Sequence, residues 1–195
     1  MSRSTKNKIR AIIGISALTT VSLHLINQAV FAVATMKDRL NSKFGSFYKW
    51  RLGDIYYRKQ GSGKPLLLIH DLNAASSSYE WNRIVRQLSE QHTVYTLDLI
   101  GCGRSEKPKF TYTNYLYVQL ISDFIKNVIM HKCDVVATGM SASFVTMACN
   151  NNPELFDRIM MINPCPLNTI KKAPRKRSKS LKFFIETPVI GTLIY

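Results

Sequence analysis

Four short apolar runs, Leu66-Leu67-Leu68-Ile69, Thr93-Val94-Tyr95-Thr96-Leu97, Val135-Val136-Ala137 and Ile159-Met160-Met161-Ile162, recur along this chain with stretches of helical periodicity between them. A run that is apolar without alternation suits a strand covered on both faces, and strands separated by helices return in the same direction. The pattern therefore restricts the chain to a mostly parallel sheet with helices packed on its faces.

The helical stretches can be placed by spacing. Trp81, Ile84, Val85 and Leu88 follow the i, i+3, i+4, i+7 template, and Ser77 with Glu80 three residues on reads as a capping box at the start. Tyr117, Leu120, Ile121, Phe124, Ile125 and Val128 define a second helix, and a third is expected from Ser141 to about Asn151, stopped by Pro153. Upstream, Phe47-Tyr48-Lys49-Trp50-Arg51 and Ile55-Tyr56-Tyr57-Arg58 alternate around Leu52-Gly53-Asp54, the pattern of an antiparallel hairpin. The expected class is α/β: a mostly parallel sheet, flanking helices and an N-terminal antiparallel hairpin, preceded by a transmembrane or signal helix.

That leading helix rests on the absence of any charged residue from Ala11 to Met36, a span longer than the ~20 residues needed to cross a bilayer. A signal anchor with its N-terminus in the cytosol is the first expectation, giving a single-pass membrane protein. The rival is a cleavable signal peptide, since the basic start, the apolar Ala11 to Leu23 and the triplet Ala32-Val33-Ala34 supply its three regions and would yield a secreted domain. The expected division is a basic segment at 1–10, the apolar segment at 11–36, a linker at 37–46, the α/β core at 47–166, and a basic segment with the start of a further helix at 167–195.

The formal net charge of +15 raises nucleic acid or an anionic membrane as partner. Much of it lies in two clusters: Arg3, Lys6, Lys8 and Arg10 at the start, and Lys171, Lys172, Arg175, Lys176, Arg177, Lys179 and Lys182 late in the chain. Neither cluster has interleaved aromatic residues or a recognisable nucleic-acid motif, so nucleic acid is set aside and a membrane surface is preferred. Cys102, Cys133, Cys149 and Cys165 lack the spacing of a zinc site and the density of a disulfide scaffold, and are expected to be free, mostly buried thiols.

In an α/β sheet the ligand site forms beyond the carboxyl ends of the strands. Those positions hold His70-Asp71-Leu72-Asn73, then the loop Asp98-Leu99-Ile100-Gly101-Cys102-Gly103-Arg104-Ser105-Glu106-Lys107-Pro108, then Gly139-Met140-Ser141-Ala142-Ser143. From Phe47 to Pro164 these loops and their order resemble the α/β-hydrolase family. The loop from Asp98 is close to that family's Asp-x-x-Gly-x-Gly-x-Ser-x-x-Pro segment.

The resemblance implies a serine hydrolase of ester, amide or related acyl bonds in a small-molecule substrate, working without metal or organic cofactor. It makes Ser141 the nucleophile on a strand-to-helix corner, the backbone amides of Leu72 and Ala142 the oxyanion donors, and His70 and Asp98 supports of their loops. Ser141 could equally be a helix N-cap. A carbon-halogen branch of the family places an aspartate at the corner, which Ser141 argues against.

Three departures stand out. The glycine that usually follows the histidine is Asp71, whose carboxylate would either lie near the oxyanion position and oppose charge there, or turn away and cap the next helix. The last glycine of the corner motif is Ser143. After Ser141 come the acids Glu154, Asp157 and Glu186 but no histidine, and the chain stops within what looks like a cap helix. The expectation is thus a fragment or truncated product, inactive by itself. The alternative is a non-catalytic, membrane-anchored binding or scaffold domain. Oligomeric state is open, although an uncovered sheet edge would favour self-association.

Overall fold

The computed structural model describes residues 3–36, 45–73 and 75–165. Six strands, β1 (Ser46–Trp50), β2 (Gly53–Gln60), β3 (Lys64–Ile69), β4 (His92–Leu97), β5 (Cys133–Thr138) and β6 (Phe156–Ile162), form one sheet in the order β1-β2-β4-β3-β5-β6. The hairpin β1–β2 and the pair β2–β4 are antiparallel; β4–β3, β3–β5 and β5–β6 are parallel. The two apolar runs nearest the middle of the chain's sheet are buried on both faces because neighbours alternate across it. Leu67 and Ile69 join one core with Val135, Ala137, Phe124 and Phe144, while Leu66 and Leu68 join another with Val94, Trp81 and Val85.

Two helices cover the first face. α3 (Asn114–Phe124) is capped by Thr113, whose side chain accepts the N–H of Leu116, and continues as a wider π turn over Ile125–Ile129 before Met130 closes it at a φ of 60°. Phe124 meets the rings of Tyr48, Tyr57 and Tyr95 edge-on, with centroids 6.0, 5.3 and 6.4 Å away, tying the helix to three strands. α4 (Gly139–Asn151) follows β5 without a break, and Tyr117 stacks on Phe144 at 5.2 Å to join α3 to α4.

The second face differs from the expected single helix. Ser78–Trp81 is a 3₁₀ turn, and regular α geometry is confined to α2 (Val85–Leu88). Ser77 accepts from Tyr79 N–H rather than closing a box with Glu80, whose carboxylate accepts the N–H of Asp71 instead. The cause lies outside the segment: the N–H of Ser78 is already held by Asp98 Oδ1 at 2.6 Å, and Trp81 is drawn into the core, leaving Ile84 exposed.

At the far end of the strands, Asp134 accepts from Arg158 and Lys64, and Lys64 also bonds Asp157. The Arg158 guanidinium, with Lys64 beside it, holds the Asp134 carboxyl down at about 2. Among the described residues β6 is paired on one side only, and Met160, Met161 and Ile162 are exposed on it.

The N-terminal segment is one helix, α1 (Arg3–Met36), and belongs to a different unit from the sheet. Its stretch Ser4–Val30 is long and apolar enough to be a membrane span or a signal peptide. Within the helix Thr19 and Thr20 donate to the carbonyls of Ile15 and Ser16, and Gln28 bonds His24. Most of the expected linker, and the late basic segment with its cap helix, lie outside the described residues.

Candidate active site

β5 ends at Thr138 and α4 starts at once, so the strand-to-helix corner falls on Gly139. Its φ of 54° is in the left-handed region, which glycine adopts without a Cβ penalty. This corrects the corner expected at Ser141. Ser141 stands in the first turn of α4, fully buried, and its Oγ donates to the carbonyl oxygen of His70 at 2.6 Å. A short hydroxyl there satisfies a carbonyl at the end of β3 that would otherwise be buried without a partner.

Ala142 is fully buried in the core, and the amide of Met140, the residue after Gly139, donates to Asp71. Met140 N–H and Leu72 N–H converge on one atom, Asp71 Oδ1, each at 2.8 Å. Of the two alternatives for Asp71, the carboxylate lies between the amides, and the helix it caps from a distance is α4. A Cβ built on Gly139 would overlap Asp71 Oδ1 and Cγ, so the carboxylate fills the volume that any side chain at the corner would need. Asn73 Nδ2 lies 3.5 Å from the second carboxylate oxygen.

His70 is buried between loops. Its Nδ1 lies 2.6 Å from the carbonyl of Asp71 and its Nε2 lies 3.0 Å from the N–H of Leu99. A carbonyl only accepts and an amide only donates, so the ring is neutral with its proton on Nδ1. Burial pushes its pKa below the usual histidine value. Both nitrogens are thus engaged in linking the loop after β3 to the loop after β4.

Asp98 does similar work in that second loop. It is 2% exposed; Oδ1 accepts from Ser78 N–H at 2.6 Å and Oδ2 from Arg104 N–H at 2.8 Å. Ser105 Oγ donates to the carbonyl of Asp98 and accepts the N–H of Tyr56. Gly103, at a φ of 50°, packs against this carboxylate so closely that a Cβ would collide with it. The loop is a closed clasp. Cys102, within it, is buried and its thiol is pushed up by that burial. The remaining sequence-chosen serine, Ser143, donates to the carbonyl of Cys165, whose N–H donates to the carbonyl of Gly139, so the chain after β6 passes beside the corner.

The four cysteines are free; Cys102 and Cys133 are buried, while Cys149 and Cys165 are half-buried. Among the described residues there is no group of three or more His, Cys, Asp or Glu side chains able to hold a metal ion. Gly139 and Met140 are the site residues that the motif reading passed over. Their signal is that Ala137-Thr138-Gly139-Met140-Ser141 also has the small-x-corner-x-small form, two residues upstream, with the corner two residues after the end of the apolar run.

A profile described as the alpha/beta hydrolase fold matches residues 64–188. A soluble epoxide hydrolase of Corynebacterium sp. is 29% identical over 112 residues, covering 57% of this chain and 38% of that protein. A haloalkane dehalogenase of Agrobacterium fabrum is 26% identical over 110 residues, covering 56% of this chain and 36% of that protein. Among solved structures, an alpha/beta hydrolase fold protein from Burkholderia ambifaria superposes with a TM-score of 0.63 at 20% identity, covering 73% of this chain and 53% of that one. The chain spans between 31% and 38% of the length of curated relatives such as these. Matched by the profile over well more than half of its 195 residues, the chain belongs to the α/β hydrolase fold family.

Proposed function

We propose that this chain carries a small-molecule site of the hydrolase kind at the carboxyl ends of its strands, but that Ser141 does not serve it as a nucleophile, so that the domain acts by binding. The observation that carries this reading is the direction of the Ser141 hydroxyl, which is fully buried and donated to the His70 carbonyl while a residue without a side chain occupies the corner. A nucleophilic hydroxyl needs a base within hydrogen-bond reach and a path to the substrate carbonyl. His70 has neither nitrogen to spare, since one donates to Asp71 and the other accepts from Leu99.

Hydrolysis of an ester or amide through Ser141 would require that hydroxyl to leave its carbonyl partner and turn outward from the first turn of α4. The length and apolar composition of Ser4–Val30 support a membrane anchor preceding this domain in the chain. A fluorophosphonate probe tests the reading. No adduct on the full chain, and none restored by any pH between 6 and 9, is expected; an adduct on wild type that disappears in Ser141→Ala would overturn it.

A further inference from the structure

We infer that Asp71 is an intramolecular ligand that keeps the paired amides of Leu72 and Met140 closed to the oxygen of any bound molecule. Two N–H groups aimed at one point, one of them at the start of a 13-residue helix, form a receptor for a single negatively charged oxygen. In this chain the oxygen in that receptor is Asp71 Oδ1, held at 2.8 Å by each amide. The two positions are complementary. Gly139 leaves empty the volume that Asp71 enters, and a side chain on residue 139 would collide with the carboxylate.

The contact is also local and strongly favoured. Asp71 precedes Leu72 directly, so its carboxylate meets the receptor at a high effective concentration, and no ordering of a separate ligand is needed. Three neighbours hold it there: Glu80 accepts its N–H, His70 Nδ1–H donates to its carbonyl, and Asn73 flanks its second oxygen. An added carboxylate cannot compete with this arrangement. Removal of the Asp71 side chain leaves two unpartnered donors and a cavity that fits a small carboxylate.

Chemical rescue separates this from a merely structural role. In the full chain held in detergent, Asp71→Ala lowers Tm, and formate raises it again by about 2–4 °C in a saturable way, whereas chloride at equal ionic strength does not. Wild type and Asp71→Asn, in which a carbonyl oxygen of the same shape can still accept from both amides, show no such response. A formate response equal in wild type and Asp71→Ala, or none in Asp71→Ala, would refute the inference. Should Asp71→Ala fail to fold in plain buffer, refolding yield reads the same point: recovery with formate but not chloride supports it, and no recovery overturns it. This inference rests on the placement of the corner at Gly139 and not on the inertness of Ser141, so probe labelling at Ser141 and formate rescue can fail independently.

Discussion

Asp98 and Asp71 stand at the ends of adjacent strands, β4 and β3, and do the same physical thing in two places. Each carboxylate accepts two backbone N–H groups from separate segments: Asp98 joins Ser78 to Arg104, and Asp71 joins Leu72 to Met140. The difference lies in surroundings. Asp98 is sealed inside a loop that closes on itself through Ser105 and Gly103, whereas Asp71 is half-buried, with Asn73 Nδ2 3.5 Å from its second oxygen. A buried clasp can only hold structure. A similar clasp at the open end of the sheet occupies the position where a bound molecule's oxygen would sit, and there the same hydrogen bonds decide what the site can accept.

Cutting each clasp should break this likeness by degree. Asp98→Ala strands two donors in a sealed loop and should cost about 3–5 kcal/mol of unfolding free energy; Asp71→Ala, where water can reach the freed amides, should cost about 1–2 kcal/mol. Urea denaturation of the two variants checks the order, and equal costs would mean that Asp71 is as structural as Asp98.

A smaller effect sharpens the link between the two loops. His70 joins them in its neutral form, and burial holds its folded-state pKa below the ordinary 6.5. Above that value neither the folded nor the unfolded chain binds the proton. As pH falls below it, the unfolded chain takes up a proton that the folded chain resists, so stability drops by up to ~1.4 kcal/mol per pH unit until the folded ring also titrates. Unfolding free energies between pH 7 and pH 5 should show this slope in wild type and lose it in His70→Asn.

The smallest effect lies at the opposite end of the sheet, where a carboxylate is paired with side-chain cations instead of amides. Arg158 is 73% exposed in its pair with Asp134, so Arg158→Ala should cost under ~1 kcal/mol at neutral pH. The depressed Asp134 pKa supports the fold above the ordinary 3.8 and loses that contribution as pH falls towards about 2. In Arg158→Ala the folded carboxyl titrates closer to 3.8, so this acid-dependent loss should be smaller and end at higher pH, which unfolding free energies between pH 5 and pH 2 would detect.

Periodicity made the sheet and two of its helices legible. Leu66 to Ile69 and Val135 to Ala137 could only be covered strands, and the stripe from Tyr117 to Val128 could only face a core. The segment from Ser77 to Leu88 had the same helical spacing yet folded mostly as turns, because Asp98 captures the N–H of Ser78 and Trp81 is pulled under the sheet. Apolar spacing reports which residues are buried, not whether a distant carboxylate has taken the first amide. The corner was ambiguous for a related reason. The frames centred on Gly139 and on Ser141 both place small residues where the helix crosses the strand, and only the point at which β5 stops pairing with β6, at Thr138 opposite Ile162, chooses between them.

By itself the sequence determined the class of fold, the order of its strands and helices, the apolar N-terminal helix and the three loops that gather at one end of the sheet. These follow from local pattern, because burial and turn chemistry are written in neighbouring residues. Only the tertiary structure decided that Ser141 faces His70, that Gly139 forms the corner, and that Asp71 fills the space between the amides of Leu72 and Met140. Those outcomes depend on where strands of the same sheet end relative to one another, and a hydrogen bond between residues 71 and 140 leaves no periodic trace in the chain.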